Sequence, residues 1–293
     1  MLGEALSLSS AVAWAAAVVL YKQSDEVHPE MMNLFKNVFG VVVIGFTLVV
    51  MDGSIDTGRS GEDWARLIVS GVVGIAIADT LAFAALKRLG AGLMAVVETT
   101  YAPTMVLLSV SFLGDPIGWT FLFGGSLVVA GVFLASHQPR SARSPKPDTR
   151  GIGGAIAMGV AGIALMAAGI VLAKPALDRG EVVEVTLIRL LAGTLAQLVV
   201  ILPRASARAR LTIFKPQPVW KTLVPGSFFG GYLAMIFWIG GMKYTTVSIA
   251  AILGQMATIF TLVFARMFLA EPLTRNRIIG AAAAATGAAL LMT

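Results

Sequence analysis

The sequence predicts an all-α integral membrane protein: ten transmembrane helices arranged as two inverted five-helix repeats. Three observations predict it. Of the 293 residues 57% are hydrophobic and only 13% charged, with a mean hydropathy of +0.84, whereas a soluble domain carries about 25% charged residues. Ten apolar runs are each close to the roughly 20 residues that cross about 30 Å of hydrocarbon. The second half of the chain also repeats landmarks of the first.

The runs lie at 4–21, 31–51, 64–86, 90–113, 117–136, 151–173, 181–202, 219–241, 245–268 and 273–292. No basic leader precedes the first, and Tyr21-Lys22-Gln23-Ser24-Asp25 follows it with no cleavage site, so it reads as a retained helix and not a signal peptide. The longest connectors, 137–150 and 203–218, are too short for an extramembrane domain. The chain therefore divides into a first repeat at 1–136, a connector at 137–150 and a second repeat at 151–293.

A shift of 156 residues lays Leu86–Leu134 on Met242–Leu290 without gaps. It matches Lys87 with Lys243, Phe112 with Phe268, Leu113 with Leu269, Pro116 with Pro272, Gly124 with Gly280 and Gly131 with Gly287, while Asp115 meets Glu271. A shift of 153 lays Lys36 on Arg189 and Gly40 on Gly193. Five spans per half is an odd number, so the halves enter the membrane in opposite directions, the plan of many secondary transporters.

The ten spans, the duplication, the Leu86-Lys87 and Met242-Lys243 junctions and the Phe-Leu-x-(Asp/Glu)-Pro turns at 112–116 and 268–272 resemble the EamA-type branch of the drug/metabolite transporter superfamily. The resemblance covers essentially the whole chain. It implies a secondary transporter, often an exporter of amino acids or other small metabolites. It also implies that spans one to four and six to nine surround a central cavity and that spans five and ten form a scaffold. One departure is local: Glu98 meets Gly254 in the second repeat, which confines acid-dependent chemistry to the first.

Enzymatic readings find little support. The chain has no cysteine and only two histidines, His28 and His137, both in connectors, so thiolate chemistry and histidine-based metal or acid–base sites inside the membrane are excluded. No phosphate-binding Gly-x-x-x-x-Gly-Lys-(Ser/Thr) loop is present, and Gly151-Ile152-Gly153-Gly154 opens a span instead of following a strand. Asp79 with Glu98 offers two carboxylates but lacks the sequence context of an intramembrane protease. No cofactor, metal or nucleic acid is expected, and the net charge of +6 is first a matter of topology.

Charges inside spans cost about 2.5–3.5 kcal/mol on insertion scales and face the protein interior. Four stand out: Lys36, Asp79, Glu98 and Arg189. At 1.5 Å per residue the first three lie roughly 8–12 Å below one surface, and Arg189 lies at the related depth from the other. Two cations and two acids suit a zwitterion. Asn33, Lys36, Asn37 and Gly40 recur at i, i+3, i+4 and i+7 and make one polar stripe. Glu98 precedes Pro103, which cannot donate to the carbonyl of Thr99, so Pro103 is the expected hinge and Glu98 the first candidate for proton coupling, with Asp79 second. Gln255 beside Thr258 stands where the first half has Glu98, and Trp14, Tyr101, Tyr232 and Trp238 are candidate aromatic walls, Tyr101 and Trp238 foremost.

Permanent ion pairs remain the alternative for these charges: Glu98 with Lys36 or Lys87, and Arg189 with Glu184. The glycine-rich faces of the fifth and tenth spans suit close helix contact within a monomer or across a homodimer. Connector cations number 14 on the side away from the termini and 5 on the side that shares them, so the positive-inside rule puts both termini outside, whereas the family resemblance implies both inside. The expected function is a secondary active exporter of a small polar or zwitterionic metabolite such as an amino acid, working by alternating access with protons, in a bacterial or archaeal cytoplasmic membrane. The lipid bilayer and the small-molecule substrate are its partners. A channel or facilitator for small solutes, or a multidrug or organic-cation efflux protein, is the alternative.

Overall fold

The structure is a computed structural model that describes residues 1–24, 26–136, 152–268 and 274–292. The connector 137–150 and the Glu271-Pro272 turn lie outside the described residues. Fourteen α-helices are present among them: α1 (Leu2–Lys22), α2 (Pro29–Val50), α3 (Gly61–Gly71), α4 (Ala78–Glu98), α5 (Tyr101–Leu113), α6 (Trp119–Ser136), α7 (Ile152–Arg179), α8 (Val182–Ile201), α9 (Ala205–Arg208), α10 (Trp220–Ser227), α11 (Ala234–Tyr244), α12 (Val247–Gly254), α13 (Met256–Phe268) and α14 (Arg275–Leu291). The described residues form no strand.

Among the described residues seven stretches are long and apolar enough to cross a bilayer: Leu2–Lys22, Pro29–Val50, Gly61–Leu86, Ile152–Arg179, Val182–Ile201, Trp220–Tyr244 and Val247–Phe268. These coincide with seven of the ten expected spans. The other three are shorter as helices. The run at 90–113 is cut where α4 stops at Glu98, α6 is an apolar helix of 18 residues, and α14 has 17 residues rich in alanine.

The inward and outward faces of α2 show how the bundle is sorted. Asn33, Asn37, Gly40, Ile44 and Leu48 are buried, whereas Val42, Phe46 and Val49 are 64–72% exposed. Polar groups point in and large apolar groups point out, the reverse of a soluble helix and the pattern that hydrocarbon requires.

Helical conformation is assigned throughout Ala78–Glu98, on both sides of the expected turn at 87–89. The segment nevertheless folds back. A Cβ built on Gly159 of α7 would lie 3.3 Å from Ala85 and 2.9 Å from Val97, two residues that a straight helix would separate by roughly 18 Å. The chain reverses between them, and the two arms pack with α7 around Ala85, Leu89, Met94, Val97, Ala155 and Ile163.

Two irregularities recur at the same interval. The α3–α4 and α10–α11 junctions are single π-helical turns, Val72–Ile77 and Phe228–Leu233, 156 residues apart. The α4–α5 break after Glu98 and the α12–α13 break after Gly254 are also 156 apart. The α6–α14 pair adds a third correspondence, Gly124 lying against Gly287 and Gly131 against Gly280, with a Cβ on Gly131 only 2.5 Å from the Gly280 carbonyl. These small faces meet each other within one chain.

The Asp-Pro turn after α5 has a structural task. Gly114 takes a left-handed φ of 72°, open to glycine without strain, and Asp115 Oδ2 accepts a 2.9 Å hydrogen bond from the Ser248 N–H in the first turn of α12. An acid at a helix N-terminus satisfies a free donor and complements the dipole.

Candidate functional site

Lys36 is half-buried on the inward face of α2, with its ammonium 5.4 Å from the ring centroid of Trp14 on α1, within range of cation–π attraction. Its acidic neighbour is Asp79 in the first turn of α4, which also accepts a 2.9 Å hydrogen bond from Asn33 Nδ2. Asn33, Lys36 and Asp79 thus form one cluster in which a cation faces an acid. The approach depends on Gly231 in the second π-helical turn, where a Cβ would stand 2.5 Å from the Lys36 carbonyl oxygen.

Arg189 repeats this plan on α8 with one member missing. Its guanidinium carbon is 5.9 Å from the Trp238 ring centroid, and Nε donates to Ser70 Oγ over 2.8 Å. Gly71, just before the first π-helical turn, lets the two helices touch, since a Cβ there would collide with the Arg189 carbonyl. Each buried cation therefore packs on the π-bearing helix of the other half. Among the described residues no carboxylate lies within ion-pair distance of Arg189, and its electrostatic neighbour is Tyr101. Glu184, the partner expected from sequence as one alternative, is engaged by Arg59 at 2.6 Å.

Glu98 ends α4. It is an exposed residue at the broken end of that helix. It forms no hydrogen bond or ion pair among the described residues, and the acid beside Lys36 is Asp79. Three residues on, the buried Tyr101 hydroxyl lies beside the Trp238 indole and Arg189, and its proton meets no acceptor among the described residues. The helix is broken at Thr99–Thr100, where Thr100 N–H and Oγ1 both turn back to the Val97 carbonyl.

The remaining candidates lie elsewhere. Asn37 is fully buried and donates to Gln197 Oε1 of α8 at 3.0 Å, a helix–helix contact. Tyr232 accepts a hydrogen bond from Thr47 at 3.0 Å and stacks near Phe228. Pro103 lines an outer groove with α6 residues. Gln255 sits half-buried at the α12–α13 break. A larger apolar groove of about 650 Å³, between α1, the second π-helical turn, α11 and α13, is lined by Val12, Ala16, Phe229, Phe237 and Phe264 and holds none of the four charges.

Ser70 escaped the sequence reading, because a serine in a helix has no signal of its own. The glycines Gly71, Gly74, Gly230 and Gly231 were the available sign that two helices approach closely there.

A family model described as the EamA-like transporter family matches residues 1–137 and 153–293. The chain belongs to that family. As an EamA-like transporter it is a multi-pass membrane protein that moves a small molecule across a lipid bilayer. No curated protein matches it. Among 28 matching chains of solved structures, one described only as the crystal structure of a protein superposes with a TM-score of 0.81 at 17% identity, over 98% of this chain and 95% of the other. That likeness concerns the fold of the EamA-like transporter and carries no substrate.

Proposed function

We propose that this EamA-like transporter is a secondary active exporter of a small zwitterionic metabolite such as an amino acid. It works by alternating access of a central cavity between two inverted five-helix repeats, 1–136 and 151–293, in a bacterial or archaeal cytoplasmic membrane. Several observations support the repeat. The π-helical turns and the helix breaks recur at an interval of 156 residues, and the family model matches two stretches on either side of the connector. Contacts near helix ends also join ends that a ten-span topology assigns to one surface: Glu4 with Thr245, Arg59 with Glu184, Asp115 with Ser248, and Ser24 with Thr222 on the opposite surface.

The observation that carries the substrate class is a pair of opposite charges, Glu98 and Arg189, that have no ion-pair partner among the described residues, with Tyr101 beside the guanidinium. A scaffold has no use for an acid and a guanidinium left apart at this depth, where each is costly. A lipophilic cation would leave Arg189 without a counter-ion. Asn33, Lys36, Asp79, Trp238 and Gln255 complete the set around them, and Glu98 is the proton-coupling residue.

Reconstituted protein preloaded with unlabelled amino acids is expected to show trans-stimulated uptake of the labelled ones; entry unaffected by internal solute would establish the channel reading instead. In the same vesicles Glu98→Gln is expected to reduce pH-gradient-driven accumulation to the level of protein-free liposomes while counterflow persists. Full accumulation in that variant removes the coupling role.

A further inference from the structure

The two buried cations are not equivalent, and the difference gives the substrate a direction. Lys36 is already answered within the protein. Asp79 supplies a counter-charge, Asn33 holds that carboxylate, and Trp14 covers the ammonium. Arg189 is answered only in part. A guanidinium carries five N–H donors in a planar fork, and here Nε alone is used, by Ser70. The four Nη donors meet no acceptor among the described residues, Trp238 supplies a π face, and the nearby Tyr101 hydroxyl is a second buried donor without a partner.

We infer that Arg189 of the second half and Tyr101 and Ser70 of the first form a carboxylate-anchoring subsite, where a planar carboxylate of the substrate is held by the Arg189 fork and the Tyr101 hydroxyl. Ser70 fixes the guanidinium by its inner nitrogen and leaves the buried Nη donors without an acceptor, and these are the donors that match a carboxylate with two parallel hydrogen bonds. The aromatic ring of Trp238 limits the approach to the plane of the fork. Glu98, three residues before Tyr101 across the helix break, is the acid that would answer the positive end of a zwitterion. A free carboxylate is then an obligatory feature of the substrate, and esters, amides and plain amines are refused. This assignment rests on the transporter reading only for its physiological substrate; the anion subsite itself is open to a direct test.

The test uses purified full-length protein in detergent, with acetate and benzoate as probes and acetamide and benzamide as uncharged controls of the same shape. Thermal stabilisation and tryptophan fluorescence are read together. Benzoate and acetate are expected to raise the melting temperature in a saturable way, and the amides to do nothing. Arg189→Gln is expected to weaken carboxylate binding about tenfold or more, Arg189→Lys less, and Tyr101→Phe about threefold to tenfold with every charge intact. Loss of response in Tyr101→Phe, which removes one oxygen, guards against an Arg189 variant that merely fails to fold. Equal responses to benzoate and benzamide, no response to either, or undiminished benzoate binding in both Arg189→Gln and Tyr101→Phe would overturn the subsite. Counterflow is scored separately: vesicles that move no solute while benzoate still binds count against the transporter reading and leave the subsite standing.

Discussion

Two glutamates open the second helix of each half, and the protein treats them differently. At the end of the bundle that holds the N-terminus, Glu184 in the first turn of α8 binds Arg59 at 2.6 Å and the Asp56 N–H at 2.8 Å, and both charged side chains are only 4% exposed. Beside it Asp63 accepts two hydrogen bonds from Arg179, and Lys243 donates to the Gly180 carbonyl at 2.5 Å. At the opposite end Glu30 in the first turn of α2 pairs with Arg204, but that pair is 26% and 46% exposed. One end is bolted by charges shut away from water; the other carries the same chemistry in solvent. The two ends of the bundle are therefore tied with unequal firmness.

Breaking the buried tie has the largest expected effect. Glu184→Gln leaves the Arg59 guanidinium buried without a counter-charge, a loss of about 3–5 kcal/mol when one partner of a buried pair is removed. It is measured as a fall in melting temperature. The natural absence of cysteine gives a second readout. Leu67→Cys, at a fully buried position of the core beneath the tie, is expected to react slowly with a membrane-impermeant maleimide, and faster once Glu184→Gln is added. Equal rates would mean that the pair staples helices without holding an end closed.

Arg179→Ala comes next. Asp63 is buried but Arg179 is 58% exposed, so water replaces part of the lost partner, and the fall in melting temperature is expected to be smaller than for Glu184→Gln. Glu30→Gln ranks last, at about 1 kcal/mol or less, since exposed pairs are screened. If Glu30→Gln proved as damaging as Glu184→Gln, the inequality of the two ends would not hold.

Much of this was legible in the sequence, for a physical reason. Apolar runs and glycines report which residues meet hydrocarbon and which meet another helix, and they located seven spans and the close-packing faces of the fifth and tenth, while Pro103 pointed to a bend beside Glu98. What a stripe of polar residues cannot report is which neighbour each member meets. Asn33, Lys36 and Asn37 lie within one turn of α2, yet they turn to Asp79, Trp14 and Gln197 on three different helices. The π-helical turns were equally hidden, because a π turn has almost the composition of an α turn.

Those turns also carry a historical reading. A π-helical turn is an α-helix with one residue inserted, and such insertions persist where they serve a site. The insertion stands at 72–77 and again at 228–233, at equivalent places in the third helix of each half. In a chain descended from two copies of one ancestor, a single insertion before the copying accounts for both. On the proposed duplication, the close seat for a cation is older than the distinction between lysine at 36 and arginine at 189.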